Sequence, residues 1–168
     1  MSSPPWRIEP FDRPWSLHDA AQSRRIEAAA AAALPPHTLM QRAGLSLARL
    51  ALAIAPHAQR IWIAAGPGNN GGDGLEAAMH LHRAGKRVEV SLAGDPSTLP
   101  ADAAASFRRA ADAGVAIGGA AAPRDRADLA IDALFGLGAT RPPDGAVASL
   151  VRALNAMAGP LLAVDLPS

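Results

Sequence analysis

The chain has 168 residues, 49% hydrophobic and 18% charged, with a formal net charge of +1. That size and mix suit one folded domain with a sizeable core and exclude a disordered chain. The near-neutral balance gives no nucleic-acid footprint, and the absence of cysteine rules out disulfides, thiolate nucleophiles and cysteine-bound zinc.

Residues 1–14 carry four prolines and read as an N-terminal arm. They lack the apolar stretch of a signal peptide, so a cytoplasmic protein is expected. Ser16 is a plausible N-cap, with Asp19 at the third position, for a helix that runs to about Ala33 and stops before Pro35-Pro36. The run 28–34 is apolar but too short to cross a membrane. Thr38 reads as the cap of a second helix, in which Leu39, Met40, Ala43, Leu47, Leu50 and Ile54 fall at the spacing of one buried face. Gly44 and Ala48 would let a neighbour pack closely against it.

From residue 60 the pattern alternates. A strand over 60–65 leads to a helix over 72–84 closed by Gly85, and a strand over 87–92 to a helix over 100–113 closed by Gly114. Strands follow at 115–117 and 127–133, then a helix at 144–157 and a strand at 160–164. This alternation predicts an α/β fold, a three-layer α/β/α Rossmann-like sandwich with a mostly parallel sheet. In such sheets ligands bind beyond the carboxyl ends of the strands. Three polar turns fall at those ends: 66–73, 132–142 and 165–168.

The first turn holds five glycines in the nine residues from Gly66 to Gly74. They remove Cβ atoms where the backbone must turn and approach a ligand, at a helix start whose N–H groups point outward unpaired. Gly66-x-Gly68-x-x-Gly71 fits a dinucleotide fingerprint, with Glu89 on the next strand as a ribose grip. The plainer readings are a tight βα turn and a surface strand residue. A plain Rossmann dehydrogenase would not need Asn69, Asn70 and Asp73 in that turn, and Pro67 removes an N–H a phosphate could use. In the second turn Asp132 ends an apolar strand, where a carboxylate is desolvated unless a cation or N–H groups satisfy it; its plainer role is to cap the turn. Phe135 reads as a core or wall residue, and Arg141 as a phosphate holder or a solvated side chain. Asp165 ends another apolar strand at the same edge, which points to acid/base work or cation binding, or else to a turn former. His80 and His82 lie two apart on one helix and face different ways, so no zinc site is expected.

Four ordered segments together resemble the NAD(P)H-hydrate epimerase family, of the YjeF N-terminal domain type. They are Leu39-Met40-Gln41-Arg42-Ala43-Gly44, with Gln41 where the family has Glu, then Gly66 to Gly74, Asp132-Ala133-Leu134-Phe135-Gly136-x-Gly138, and Val164 to Ser168. The resemblance spans roughly 15–168. It implies an isomerase in metabolite repair that interconverts the R and S forms of NADHX and NADPHX, nicotinamide nucleotides with water added at C6 of the ring. By position it implies that Asn69, Asn70, Gly71, Gly72 and Asp73 bind the hydrate with Gly136, Leu137, Gly138, Ala139, Thr140, Arg141, Pro142 and Asp165. Asn70, Asp132 and Ser168 would hold a potassium ion, and Asp165 would be the acid/base. A homodimer is implied, and a fused or separate dehydratase as partner. The family usually continues beyond the fourth segment with a Gly and further strands and helices, so a domain over 15–168 with its C-terminal part missing is expected. Neither nucleic acid nor a membrane is expected as a partner. The rival reading is a non-catalytic nucleotide-binding or protein-interaction module on the same fold.

Overall fold

The five strands are β1 (Arg60–Ala65), β2 (Arg87–Leu92), β3 (Ala116–Gly118), β4 (Leu129–Ala133) and β5 (Leu161–Ala163). They pair in parallel throughout, in the order β3-β2-β1-β4-β5. The computed structural model describes residues 18–139 and 142–168. The proline-rich arm, the proposed Ser16 cap, Thr140 and Arg141 lie outside them.

Central parallel strands are covered on both faces and therefore need apolar side chains at every position. β1 meets that demand with Ile61 and Ile63 toward one face and Trp62 and Ala64 toward the other. The indole N–H of Trp62, buried in the second layer, donates to the Ser91 hydroxyl at 2.9 Å, and that hydroxyl donates to the Ala121 carbonyl at 2.5 Å. At the start of β4 the Asp128 carboxylate accepts the N–H groups of Gln59 and Arg60, each at 2.9 Å. These bonds hold its carboxyl below the usual carboxylate range and align β4 with β1, so that Ala64 faces Asp132 and Ala65 faces Ala133.

Helices α2 (Thr38–Ile54), α3 (Asn69–Arg83) and α4 (Ala101–Asp112) cover one face, and α5 (Gly145–Asn155) the other. The chain winds one way through β1, β2 and β3 and the other way through β4 and β5. The reversal falls between β1 and β4, the position where open α/β sheets form a crevice. Gly85 and Gly114 close α3 and α4 as expected, with Lys86 N–H donating to Leu81 and Val115 N–H to Ala110, both at 3.1 Å. Close packing at Gly44 is also present: a Cβ there would collide with the Glu76 side chain. Glu76 is 1% exposed and accepts from Arg109 at 2.6 and 3.0 Å and from Ser106 at 2.9 Å. That ion pair, its carboxylate buried and its guanidinium partly exposed, ties α3 to α4.

Several boundaries differ from the sequence reading. Asp19, not Ser16, caps α1 (Ala20–Ala32), because Asp19 and Gln22 form a reciprocal capping box at 2.7 and 3.2 Å. α1 buries none of its residues. His37, with a φ of 66°, and not Thr38 is the N-cap of α2, because the Thr38 hydroxyl turns back to donate to the Pro35 carbonyl at 2.7 Å. The face that α2 buries runs through Met40, Gly44, Ala48 and Ala51, so of the expected face Met40 is buried while Ala43, Leu50 and Ile54 are exposed. α3 begins at Asn69, three residues earlier than expected. Gly68 is its extended N-cap, and Gly72 N–H already bonds the Gly68 carbonyl at 3.1 Å. The expected turn residues Asn69 to Gly72 therefore form the first turn of the helix.

Candidate active site

The three polar turns converge as their strand-end positions predict. The backbone N–H of Gly66, leaving β1, donates to the Ala133 carbonyl at the end of β4 at 2.9 Å. A Cβ on Gly66 would strike the Leu134 carbonyl, so the first two loops touch backbone to backbone. From the first turn of α3, the Asn70 amide donates to the carbonyls of Phe135 at 2.7 Å and Val164 at 3.4 Å. One side chain thus spans all three loops.

Asp132 and Ser168 tie the second loop to the third. The Asp132 carboxylate, 3% exposed, accepts Ser168 N–H at 2.8 Å, the Ser168 hydroxyl at 2.9 Å and Leu134 N–H at 3.2 Å. The Ser168 oxygen in turn accepts Phe135 N–H at 3.1 Å. Asp132 does cap its own turn, the plainer of its two readings, yet it does more. Its partners are all neutral, and no described cationic side chain lies within ion-pair distance. A buried carboxylate held only by neutral donors, with the Ser168 hydroxyl beside it, is an oxygen-rich group short of positive charge.

Beyond these ties lies a cleft of about 1070 Å³. Asn69, Asn70, Asp73, Gly136, Leu137, Gly138, Ala139, Pro142 and Asp165 all line it. Gly71 and Gly72 are buried behind them in the helix turn. Asp165 has a φ of 66° and is exposed. Its carboxylate overlies Gly136, where a Cβ would come within 2.6 Å of Oδ2. Among the described residues it takes no hydrogen bond. Asp73 is half-buried; desolvation first, then the charges of Asp165, Glu27 and Glu76, push its carboxyl up to about 7. Phe135 is a wall residue, packed against the layer of Trp62 and Leu150. Glu89 is a strand residue facing a second hollow of about 600 Å³ at the opposite ends of the strands, so its plainer reading holds.

Four charged groups in this cleft escape a reading of the sequence. Arg24 and Glu27 project from α1, Asp102 from the start of α4 and Asp144 from the cap of α5. Asp102 meets His37 at 2.5 Å. The spacing of Ala20, Arg24, Glu27 and Ala31 marks one helical face, but nothing local says what that face meets.

Residues 36–168 match the protein family described as YjeF-related protein N-terminus. An NAD(P)H-hydrate epimerase of Bordetella pertussis is 45% identical over 133 residues, covering 77% of this chain and 57% of that protein. The chain thus spans little more than half the length of that relative. The NAD(P)H-hydrate epimerase of Achromobacter xylosoxidans is 41% identical, covering 90% of this chain and 72% of its own. The bifunctional NAD(P)H-hydrate repair enzyme Nnr of Thermofilum pendens is 36% identical over 84% of this chain and 29% of its own. The crystal structure of yeast ynu0 superposes with a TM-score of 0.77 over 92% of this chain and 71% of its own, at 22% identity, a likeness of fold.

Proposed function

This chain belongs to the family of YjeF-related protein N-termini, and on that footing we propose that it is an epimerase of nicotinamide nucleotide hydrates, interconverting the R and S forms of NADHX and NADPHX. The observation that carries the reading is the Asp165 carboxylate, free of protein partners among the described residues, in a cleft bounded by the first turn of α3.

The chemistry asks for one such group. The C6 hydroxyl of the hydrate sits on a carbon bonded to the ring nitrogen. A proton from Asp165 lets that hydroxyl depart as water, the C–O bond breaks, and the nitrogen lone pair forms an iminium. Water then adds to the opposite face of C6 and returns a proton to the Asp165 carboxylate, so atoms and charge balance over the cycle. In this reading the N–H groups at the start of α3, where Gly68 caps the helix without a side chain, would hold a phosphate. Asn69 to Asp73 and Gly136 to Pro142 form the binding walls in this reading.

Asn70, Asp132 and Ser168 would hold a potassium ion. Bound there, the ion would balance the Asp132 charge and stiffen the loops around Asp165. A homodimer belongs to the same reading, with Leu50 and Ile54 on α2, each 48% exposed, as an apolar contact. So does a dehydratase, fused or separate, to complete the repair. No described helix is long and apolar enough to cross a membrane, and a cytoplasmic setting goes with these substrates.

Purified R- and S-NADHX, followed by chromatography with the protein and with its Asp165→Asn variant, test the proposal. Asn tolerates the left-handed backbone at 165 as Asp does, so the variant changes chemistry and spares the fold. Rapid relaxation of an epimer imbalance by the wild type, lost in the variant, is expected. A folded wild type with no effect on the imbalance would leave the binding-module reading.

A further inference from the structure

We propose that Arg24, on the helix α1 that precedes the family-matched residues, binds a phosphate group of the nucleotide and so helps set substrate preference. The inference rests on the epimerase reading for the identity of the ligand and on the geometry of the cleft for the site.

α1 contributes nothing to the core, yet one of its faces forms a wall of the cleft. Ala20, Ser23, Ala28 and Ala31 on that face are small, so Arg24 and Glu27 are its long side chains and Arg24 its one cation. The Arg24 Nη2 lies 3.8 Å from the position of a Cβ on Gly138. The guanidinium therefore stands against the loop after β4, at Gly138. Among the described residues Arg24 makes no ion pair and no hydrogen bond. Its neighbour Arg25 bonds the Ala21 carbonyl, and Arg60 and Arg109 are both paired with carboxylates. Arg24 thus keeps its planar fork of donors for something else, and two parallel N–H groups match two phosphate oxygens.

The charge of the cleft requires such a group. Glu27, Asp73, Asp102, Asp144 and Asp165 all line it, and Arg24 is the one cationic side chain among the described lining residues. A ligand carrying phosphates meets repulsion from those carboxylates unless a cation is placed where its anionic part sits. The α3 N-terminus offers N–H groups but no full charge. Both hydrates carry a diphosphate, and NADPHX adds a 2′-phosphate on the adenosine ribose, so either phosphate could be the one held.

The test compares wild type with Arg24→Gln and Arg24→Lys. α1 is exposed, so the substitutions leave the core untouched. kcat and KM are measured for NADHX and NADPHX separately, and calorimetric titration with ADP-ribose and 2′-phospho-ADP-ribose reads binding without catalysis. Arg24→Gln is expected to raise KM about tenfold with a far smaller change in kcat, and to weaken the probe by a similar factor; Lys should restore part of the loss. An equal rise for both hydrates assigns the diphosphate, and a rise for NADPHX alone assigns the 2′-phosphate. Unchanged KM and unchanged probe affinity overturn the proposal, as does a wild type that binds neither probe. A wild type that binds the probes through Arg24 but epimerises neither hydrate would sink the epimerase reading and leave this inference standing.

Discussion

The Asp165 carboxylate occupies the space that a side chain at Gly136 would fill: a Cβ built on Gly136 lies 2.6 Å from Asp165 Oδ2 and 3.4 Å from Asn70 Oδ1. The backbone at Gly136 has no positive φ, so its need for glycine is one of space and not of conformation. Gly136→Ala should therefore fold normally and push Asp165 away from its position over the cleft. If the proposed epimerase reading holds, a displacement of that order should lower epimerisation about 100-fold. Gly119→Ala, where a Cβ meets nothing within 4 Å, is the control. Steady-state rates on both variants check this, and a Gly136→Ala enzyme at wild-type rate would show that Asp165 does not act from the position seen.

Asp73 makes stability depend on pH. Its carboxyl titrates near 3.8 when unfolded and at about 7 in the fold. Between those values the native state holds a proton that the unfolded chain has lost. Stability is therefore full below about 4, falls as pH rises through 7, and is level above it. Asp73→Asn removes the burden of a charged carboxylate among Asp165, Glu27 and Glu76. Partial exposure reduces the effect, so the variant should gain roughly 2 kcal/mol at pH 8 and little near pH 4. Urea unfolding at the two pH values decides it; equal gains at both would mean that the proton is not responsible.

Arg109 should matter to stability more than any surface charge. Removing it leaves the Glu76 carboxyl buried with only Ser106 at 2.9 Å and His80 at 3.8 Å. Arg109→Ala is expected to cost about 3–5 kcal/mol by denaturant unfolding. The double variant Glu76→Leu/Arg109→Met should lose much less, because it removes the buried charge along with its partner. A double variant as unstable as the single one would locate the loss in packing instead of charge.

The elements legible in the sequence are those with strong local punctuation. β1 and β2 match their expected bounds because their hydrophobic stretches are followed by glycine and proline. α2 is a helix as its apolar spacing predicts, but small residues let it bury Gly44, Ala48 and Ala51 with Met40 and leave Leu50 and Ile54 exposed. The start of α3 is obscured by its own glycines: Gly71 and Gly72 read as a turn, whereas extended Gly68 alone makes the turn and the helix begins at once. β3 and β5 have three residues each, since strand length at a sheet edge is set by the neighbour's ladder. Asp132 and Asp165 are legible because a carboxylate ending an apolar strand is an anomaly with a small set of explanations. Arg24 and Glu27 are not legible, because the fold sets Arg24 against Gly138 and the Glu27 charge near Asp73, joining segments far apart in the chain with no trace in local periodicity.

Asp132 supplies a prediction independent of catalysis. The carboxylate is nearly inaccessible, and among the described residues its hydrogen bonds come from Leu134 and Ser168. Neutral donors soften the cost of burying a charge but leave the charge in place. A cation that binds there binds the folded chain and not the unfolded one, so it must raise the melting temperature by mass action. Potassium chloride should therefore raise Tm over choline chloride at equal ionic strength, a comparison that holds general screening constant. A gain of about 1 kcal/mol corresponds to ~3 °C for a domain of this size. Asp132→Asn should abolish the difference between the salts, and Ser168→Ala should reduce it. Sodium tests whether the oxygen set selects by ion size. Equal melting temperatures of the wild type in potassium and choline would remove the ion from the site, and Asp132 would then act only as a tie between the second and third loops.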